Sequence, residues 1–188
     1  MDLLTQIIQL NEGYCSTIYE CPAGKNTFGY GTSLNEERKK EVEACRQADI
    51  EALATSYFQD DVTSILVKLR AFNWFTELSE LRRVVIVDLA YQMGIHGLLG
   101  FSKMIAALDK QNFGYAHDEL LDSLYHAQLI KYAYKDEYPG ICEMHKGALI
   151  NWFNNSFNID NKQLRSSSNA QTLMFNRPLS KYKDLDLV

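Results

Sequence analysis

Leu3, Leu4, Ile7 and Ile8 recur at helical spacing, which predicts a short amphipathic helix over residues 2–12. Asp2 can cap its start, and Gly13 is placed to end it in the left-handed conformation. Glu12 then falls in the last turn, beside the negative end of the helix dipole, where a carboxyl tends to hold its proton more tightly. From Tyr14 to Leu34 the pattern changes. Tyr14, Thr17, Ile18 and Tyr19 are strand formers, residues 21–26 supply turn chemistry, and Thr27–Thr32 reads as a Gly-punctuated return strand. This predicts a small hairpin or three-stranded sheet.

The rest of the pattern is helical. A charged helix is expected over 35–46, and a longer one over about 47–70, with Ile50, Leu53, Ala54, Tyr57, Phe58, Val62, Ile65 and Leu69 on its apolar side. Leu81 to Tyr91 is apolar nearly all round, which marks the centre of a helical lobe. Shorter helices are expected over 102–110, 113–124, 126–133 and 143–154, with turns at Gly94–Gly97 and Tyr138–Gly140. Phe72, Trp74 and Phe75 read as packing between lobes. Residues 155–188 hold five Asn and five Ser without periodicity, and read as an extension draped on the surface.

Composition narrows the class. The chain has 188 residues, 46% hydrophobic and 23% charged, enough for one compact domain with a sizeable core. A net charge of -5 argues against a general nucleic-acid or anionic-membrane binder. No apolar run approaches the ~20 residues of a membrane span, and the first residues lack the regions of a signal peptide or anchor. Of the four cysteines, 15, 45 and 142 read as reduced, mostly buried small hydrophobes, with a Cys15–Cys21 bridge conceivable but not demanded. The histidines at 96, 117, 126 and 145 show no metal-ligand spacing, so neither metal nor organic cofactor is expected.

The pattern that carries chemistry is Glu12, eight residues, Cys21, five residues, Thr27. A hairpin after the first helix can fold these three side chains toward one cleft. Hydrolysis of a glycosidic bond needs a protonated carboxyl for the leaving oxygen, and a group that aims water or stabilises the oxocarbenium-like centre. Glu12 suits the first task. The Thr27 hydroxyl can hold water. A thiol is a mediocre base at neutral pH unless its thiolate is stabilised, so Cys21 is open to being base, water positioner or nucleophile. Tyr30 between two glycines is a cleft candidate because the glycines admit close approach to the backbone.

The spacing resembles the phage-type lysozymes, glycoside hydrolase family 24, in its Glu–Cys–Thr variant. Thr27-Phe28-Gly29-Tyr30-Gly31-Thr32 is close to the family's Thr-x-Gly-x-Gly-His, and Ala90 to Phe101 resembles its aromatic-Gln-Met-Gly segment. Phe58–Val62, Leu81–Arg83 and Ser123-Leu124-Tyr125 also fit. The resemblance spans residues 1 to about 154. It implies a mainly helical, two-lobed α+β fold with a small N-terminal sheet and a helical C-terminal lobe. The domain would cover 1–154 (N-lobe about 1–46, connecting helix about 47–70, C-lobe about 71–154), followed by the 155–188 extension. It further implies a monomeric muramidase that cleaves the β-1,4 bond between N-acetylmuramic acid and N-acetylglucosamine in peptidoglycan. Glu12, Cys21 and Thr27 would be catalytic, and Gln92, Met93 and Gly94 would line the cleft from the other lobe. Met93 can equally be core, and Phe101 is either a platform under a sugar or a core aromatic.

Three departures stand out. Thr32 occupies the motif's His position, the family's Pro-x-Arg-Ala-x-Arg segment appears as Pro139 to Lys146 with only His145 or Lys146 to replace its arginine, and the tail is extra. The missing arginine motivates an alternative, a catalytically weak glycan-binding module. An endolysin or antibacterial effector of this kind would be held in the cytoplasm until released to the periplasmic wall. Residues 1–154 carry 14 basic and 21 acidic side chains, a net of -7, so local contacts rather than bulk charge must hold an anionic wall polymer.

Overall fold

The computed structural model describes residues 3–21, 24–123, 157–158, 161–162 and 172–174. Helix α1 spans Leu3–Glu12, with Ile7 and Ile8 buried and Leu10 exposed, as its amphipathic pattern requires. Gly13 adopts φ +70°, and its N–H donates to the Gln9 carbonyl at 2.9 Å, which closes the helix directly after Glu12. Three antiparallel strands follow in sequential order: β1 (Cys15–Glu20), β2 (Asn26–Gly29) and β3 (Thr32–Ser33). Cys15 lies opposite Gly29 and Tyr19 opposite Thr27, with an irregularity between the two pairs.

Helix α2 (Glu36–Ala44) is capped by Asn35, whose side-chain oxygen accepts from the Arg38 N–H at 2.8 Å. The long helix α3 spans Ile50–Leu69 and so begins three residues later than its apolar pattern suggests. The intervening residues close as a turn, with the Asp49 N–H on the Arg46 carbonyl and the Arg46 guanidinium on the Asp49 carboxylate. A short helix α4 (Asn73–Thr76) precedes α5 (Glu80–Leu99), α6 (Ser102–Asp109) and α7 (Phe113–Leu121). The turn expected over residues 94–97 contracts to one residue. Gly94, at φ 75° and ψ 163°, breaks α5, and the helix resumes at once; this backbone region is essentially open to glycine alone.

Two apolar clusters organise the molecule. The smaller joins Phe28 of the sheet to Val42, Ile50, Ala54 and Tyr57 of α2 and α3. The larger gathers Phe58, Val62 and Leu69 of α3 with Trp74, Phe75, the buried face of α5, and residues of α6 and α7. Ile8 belongs to this larger cluster, so α1 packs with the helical lobe while the strands that follow it build the other. Trp74 and Phe75 are therefore core of the helical lobe and not packing between lobes. Gly29 marks a close approach of the sheet to α3: a Cβ there would stand 2.7 Å from the Ala54 Cβ.

The cysteine expectations change. Cys15 is fully buried and disulfide-bonded, with a partner outside the described residues, whereas Cys21 and Cys45 form no disulfide and are partly exposed. A Cys15–Cys21 bridge fails on geometry. The two residues stand at opposite ends of β1, and six residues of strand span roughly 20 Å, far beyond the ~7 Å limit between disulfide-linked Cα atoms.

The tail does more than drape. A two-residue hairpin pairs β4 (Phe157–Asn158) with β5 (Asn161–Lys162). Farther on, Leu173 is fully buried in the larger cluster. The Arg82 guanidinium donates to the Leu173 carbonyl at 2.7 Å and the Met174 carbonyl at 3.3 Å while lying over the Phe113 ring. The lack of periodicity in the segment hid one apolar anchor, and Arg82 supplies a cation able to satisfy its backbone. Asp2, the helices expected over 126–133 and 143–154, the turn at Tyr138–Gly140, and His145 and Lys146 lie outside the described residues. Leu173→Ala is expected to destabilise the protein by about 2–5 kcal/mol, read as a lowered thermal midpoint with the far-UV spectrum unchanged; an unaltered midpoint would show that the anchor carries no stability.

Candidate functional site

Glu12 is the last residue of α1 and is half-buried. The turn between β2 and β3 covers it closely. Gly31, at φ +85°, presents no side chain there, and a Cβ on it would lie 3.0 Å from Glu12 Oε2. That turn is held by the helical lobe. The Tyr91 hydroxyl of α5 donates to the Tyr30 carbonyl at 2.8 Å and stands 3.5 Å from the Thr32 hydroxyl. Thr32, in the motif's His position, is thus buried and paired with a tyrosine from the opposite lobe. Burial, and then the negative field of Glu12, push the Tyr91 phenol well above its usual range, so it remains a neutral donor.

Cys21 and Thr27 flank the hairpin as the spacing suggests. The Cys21 N–H donates to the Lys25 carbonyl at 2.9 Å, and the Gly24 N–H to the Cys21 carbonyl at 2.8 Å. Thr27 is buried, with its hydroxyl donating to the Lys25 carbonyl at 3.0 Å. That commits its proton and leaves it acceptor capacity only. Tyr19 is the residue that relates the three. It pairs across the sheet with Thr27, and the alternation of side chains puts it on the same face as Thr27 and Cys21. Burial, then the charges of Glu12 and Cys21, raise its phenol well above the ordinary value, so Tyr19 senses both groups. In the sequence Tyr19 is marked only as a strand former, and its spacing of two from Cys21 is the signal of its place.

The remaining candidates divide. Gln92 and Met93 are half-buried at the end of the first segment of α5, and Gly94 is exposed at its break. Met93 lies directly over Gly97, where a Cβ would fall 2.9 Å from the Met93 side chain. The Tyr30 ring is packed between the two apolar clusters, against Tyr14 at 5.2 Å and Phe58 at 5.5 Å. Its carbonyl, not its ring, carries the contact to Tyr91. Phe101 packs at the edge of the larger cluster with part of its surface exposed. Asn11 and Asp88 join Tyr19 and Tyr91 as residues that the sequence did not single out for the site. Buried Asp88 on α5 accepts from the Asn11 side chain at 3.2 Å, and from the Gln92 side chain at 3.2 Å. Asp88 is visible in the sequence as the one charged residue between Val84 and Ala90.

Among the described residues, no group of three or more His, Cys, Asp or Glu side chains is placed to hold a metal ion. No single helix among them is long and apolar enough to cross a membrane.

Two substitutions test how the turn is held. Tyr91→Phe keeps the ring but leaves the Tyr30 carbonyl without this donor; stability is expected to fall by about 1–3 kcal/mol, read from the thermal midpoint with helical content retained. Gly31→Ala both strains the backbone and crowds Glu12. A non-glycine residue held at such a φ costs about 1–3 kcal/mol, so the thermal midpoint should fall. A wild-type midpoint in Gly31→Ala would refute the close approach.

The family model for phage lysozyme matches residues 9–141, well over half of the chain, from the end of α1 through the sheet and helices α2–α7. No curated protein matches the chain. A small antiparallel sheet following α1 and joined to a larger set of helices is the mainly helical α+β fold that the motif resemblance implied. The chain belongs to the phage lysozyme family, a membership that implies glycoside hydrolase activity on peptidoglycan.

Proposed function

We propose that the protein is a muramidase that hydrolyses the β-1,4 bond between N-acetylmuramic acid and N-acetylglucosamine, with Glu12 as general acid. The observation that carries this reading is the placement of Glu12: half-buried, at a helix C-terminus, under the side-chain-free Gly31. A general acid must keep its proton near neutral pH and reach the leaving oxygen. A helix C-terminus and partial burial both favour the neutral carboxyl. The C1–O bond breaks with its electron pair on the leaving oxygen, which takes the Glu12 proton. Water adds its oxygen to C1, and the proton it loses passes through solvent to the Glu12 carboxylate, which restores the acid.

Cys21 and Thr27 serve the water or the cationic centre. Thr27, whose own proton is held by the Lys25 carbonyl, acts as an acceptor that orients water rather than as a donor. Tyr19 and Tyr91 stay protonated across the working range, because burial and the Glu12 field both oppose their ionisation. Neither phenol therefore competes with Glu12 for a proton, and Tyr91, whose own proton goes to the Tyr30 carbonyl, holds the turn above it. Gln92 and Met93 contact the glycan from α5.

The enzyme acts as a monomer on the bacterial wall after release from the compartment of synthesis, as an endolysin or an antibacterial effector would. The Cys15 disulfide suits work in an oxidising compartment such as the periplasm.

Purified peptidoglycan digested by the wild type should release fragments with N-acetylmuramic acid at the reducing end, identified by borohydride reduction and mass spectrometry. Glu12→Gln should reduce that release by roughly 10²–10⁴-fold. If wild type and Glu12→Gln were equally inert while both bound glycan strands, the chain would be a glycan-binding module instead. Cys21→Asp should retain activity if the thiol handles water or charge; its complete loss, with a glycosyl adduct trapped on the wild-type thiol, would make Cys21 the nucleophile.

A further inference from the structure

We propose that Asp88 is a positioning residue of this hydrolase, joining the end of α1 that carries Glu12 and the side-chain amide of Gln92 into one rigid polar unit. The proposal rests on the muramidase reading for its catalytic consequence, though not for the unit itself. Asp88 is 1% exposed and lies within the run Val84–Ala90 of α5, every residue of which is buried. An ionised side chain in such surroundings is costly, and an apolar side chain of similar volume commonly serves stability as well or better. Core packing therefore does not account for a carboxylate here.

Its hydrogen bonds do. Asn11 Nδ2 donates to one Asp88 oxygen at 3.2 Å, and Gln92 Nε2 donates to the other at 3.2 Å. Gln92 Nε2 also reaches the Asp88 backbone carbonyl at 3.2 Å. A carboxylate only accepts, so both amides must turn their amino groups toward it. Rotating either amide would set a carbonyl oxygen against the negative charge of a buried carboxylate, where electrostatic terms are large. The amide oxygen of Gln92 is thereby turned away from Asp88. Asn11 is buried and immediately precedes Glu12 in the last turn of α1. One carboxylate thus sets both the height of the general acid and the facing of an amide that contacts substrate.

The chemistry makes a specific demand on substitutions. Asp88→Asn has one oxygen for two donors, so one neighbouring amide must flip or lose its bond. The exchange Asn11→Asp with Asp88→Asn restores the pattern: the carboxylate at position 11 accepts from the amide at position 88, whose oxygen again takes the Gln92 N–H. Asn11→Ala removes only the α1 arm and remains usable if Asp88→Asn does not fold.

Two readouts decide the matter on the full chain. Peptidoglycan hydrolysis gives kcat and KM, and ¹⁵N NMR gives the exchange protection of the Gln92 side-chain amide. Asp88→Asn should lower kcat/KM by roughly tenfold or more and lose Gln92 protection, while the exchange recovers both. Asn11→Ala should lower kcat with KM and Gln92 protection kept. The proposal is overturned if Asp88→Asn keeps wild-type kinetics and protection, if the folded exchange is as impaired as the single variant, or if Asn11→Ala leaves kcat untouched. Should the wild type hydrolyse no peptidoglycan, the muramidase reading fails alone. Loss and recovery of Gln92 protection would still establish the polar unit, and their absence would remove it.

Discussion

Helix α5 is buried along most of its first segment, so each polar group it carries must find its partner on another element or pay for desolvation unassisted. Asp88 takes its partners from α1 and from the next turn of its own helix. Tyr91 takes the Tyr30 carbonyl from the turn between β2 and β3. These two bonds run to the two elements that meet at Glu12. The hydrogen-bond demand of one buried helix thereby sets the position of the helix end and of the backbone above it. Unpaired, such groups cost about 1–3 kcal/mol each, which makes the arrangement stiff as well as specific.

Backbone permissiveness completes the site. Gly13 ends α1 immediately after Glu12, and Gly31 lets the sheet come down on the carboxylate without a Cβ between them. Gly94 breaks α5 just past Gln92 and Met93, so that these residues end a helix segment and do not continue into a longer one. Each glycine adopts a positive φ that other residues avoid. The polar bonds from α5 hold what the glycines permit.

The lobes are tied at their margins too. Aromatic packing runs from Tyr14 through Tyr30 and Phe58 to Tyr91, so the sheet and the central helix share a continuous apolar contact. At the far side, Arg82 holds the Leu173 and Met174 carbonyls while Leu173 enters the core. A segment beyond the span matched by the family model thus contributes to the larger core of the family fold.

Local pattern alone determined much of this. Apolar periodicity located α1, α3 and α5, glycine and turn chemistry located the sheet, and the Glu12, Cys21 and Thr27 spacing pointed to the family and its chemistry. These are local signals, because helix faces, strand alternation and turns are set by near neighbours in the chain. Only the tertiary structure decided which buried polar groups meet. Asn11 and Asp88 are 77 positions apart, Tyr30 and Tyr91 61 apart, and Arg82 and Leu173 91 apart. No periodicity encodes such pairs. They follow from where packed helices place groups that the core will not leave unsatisfied, and that is why Asp88, Tyr91 and Leu173 acquired their roles only once the chain was folded.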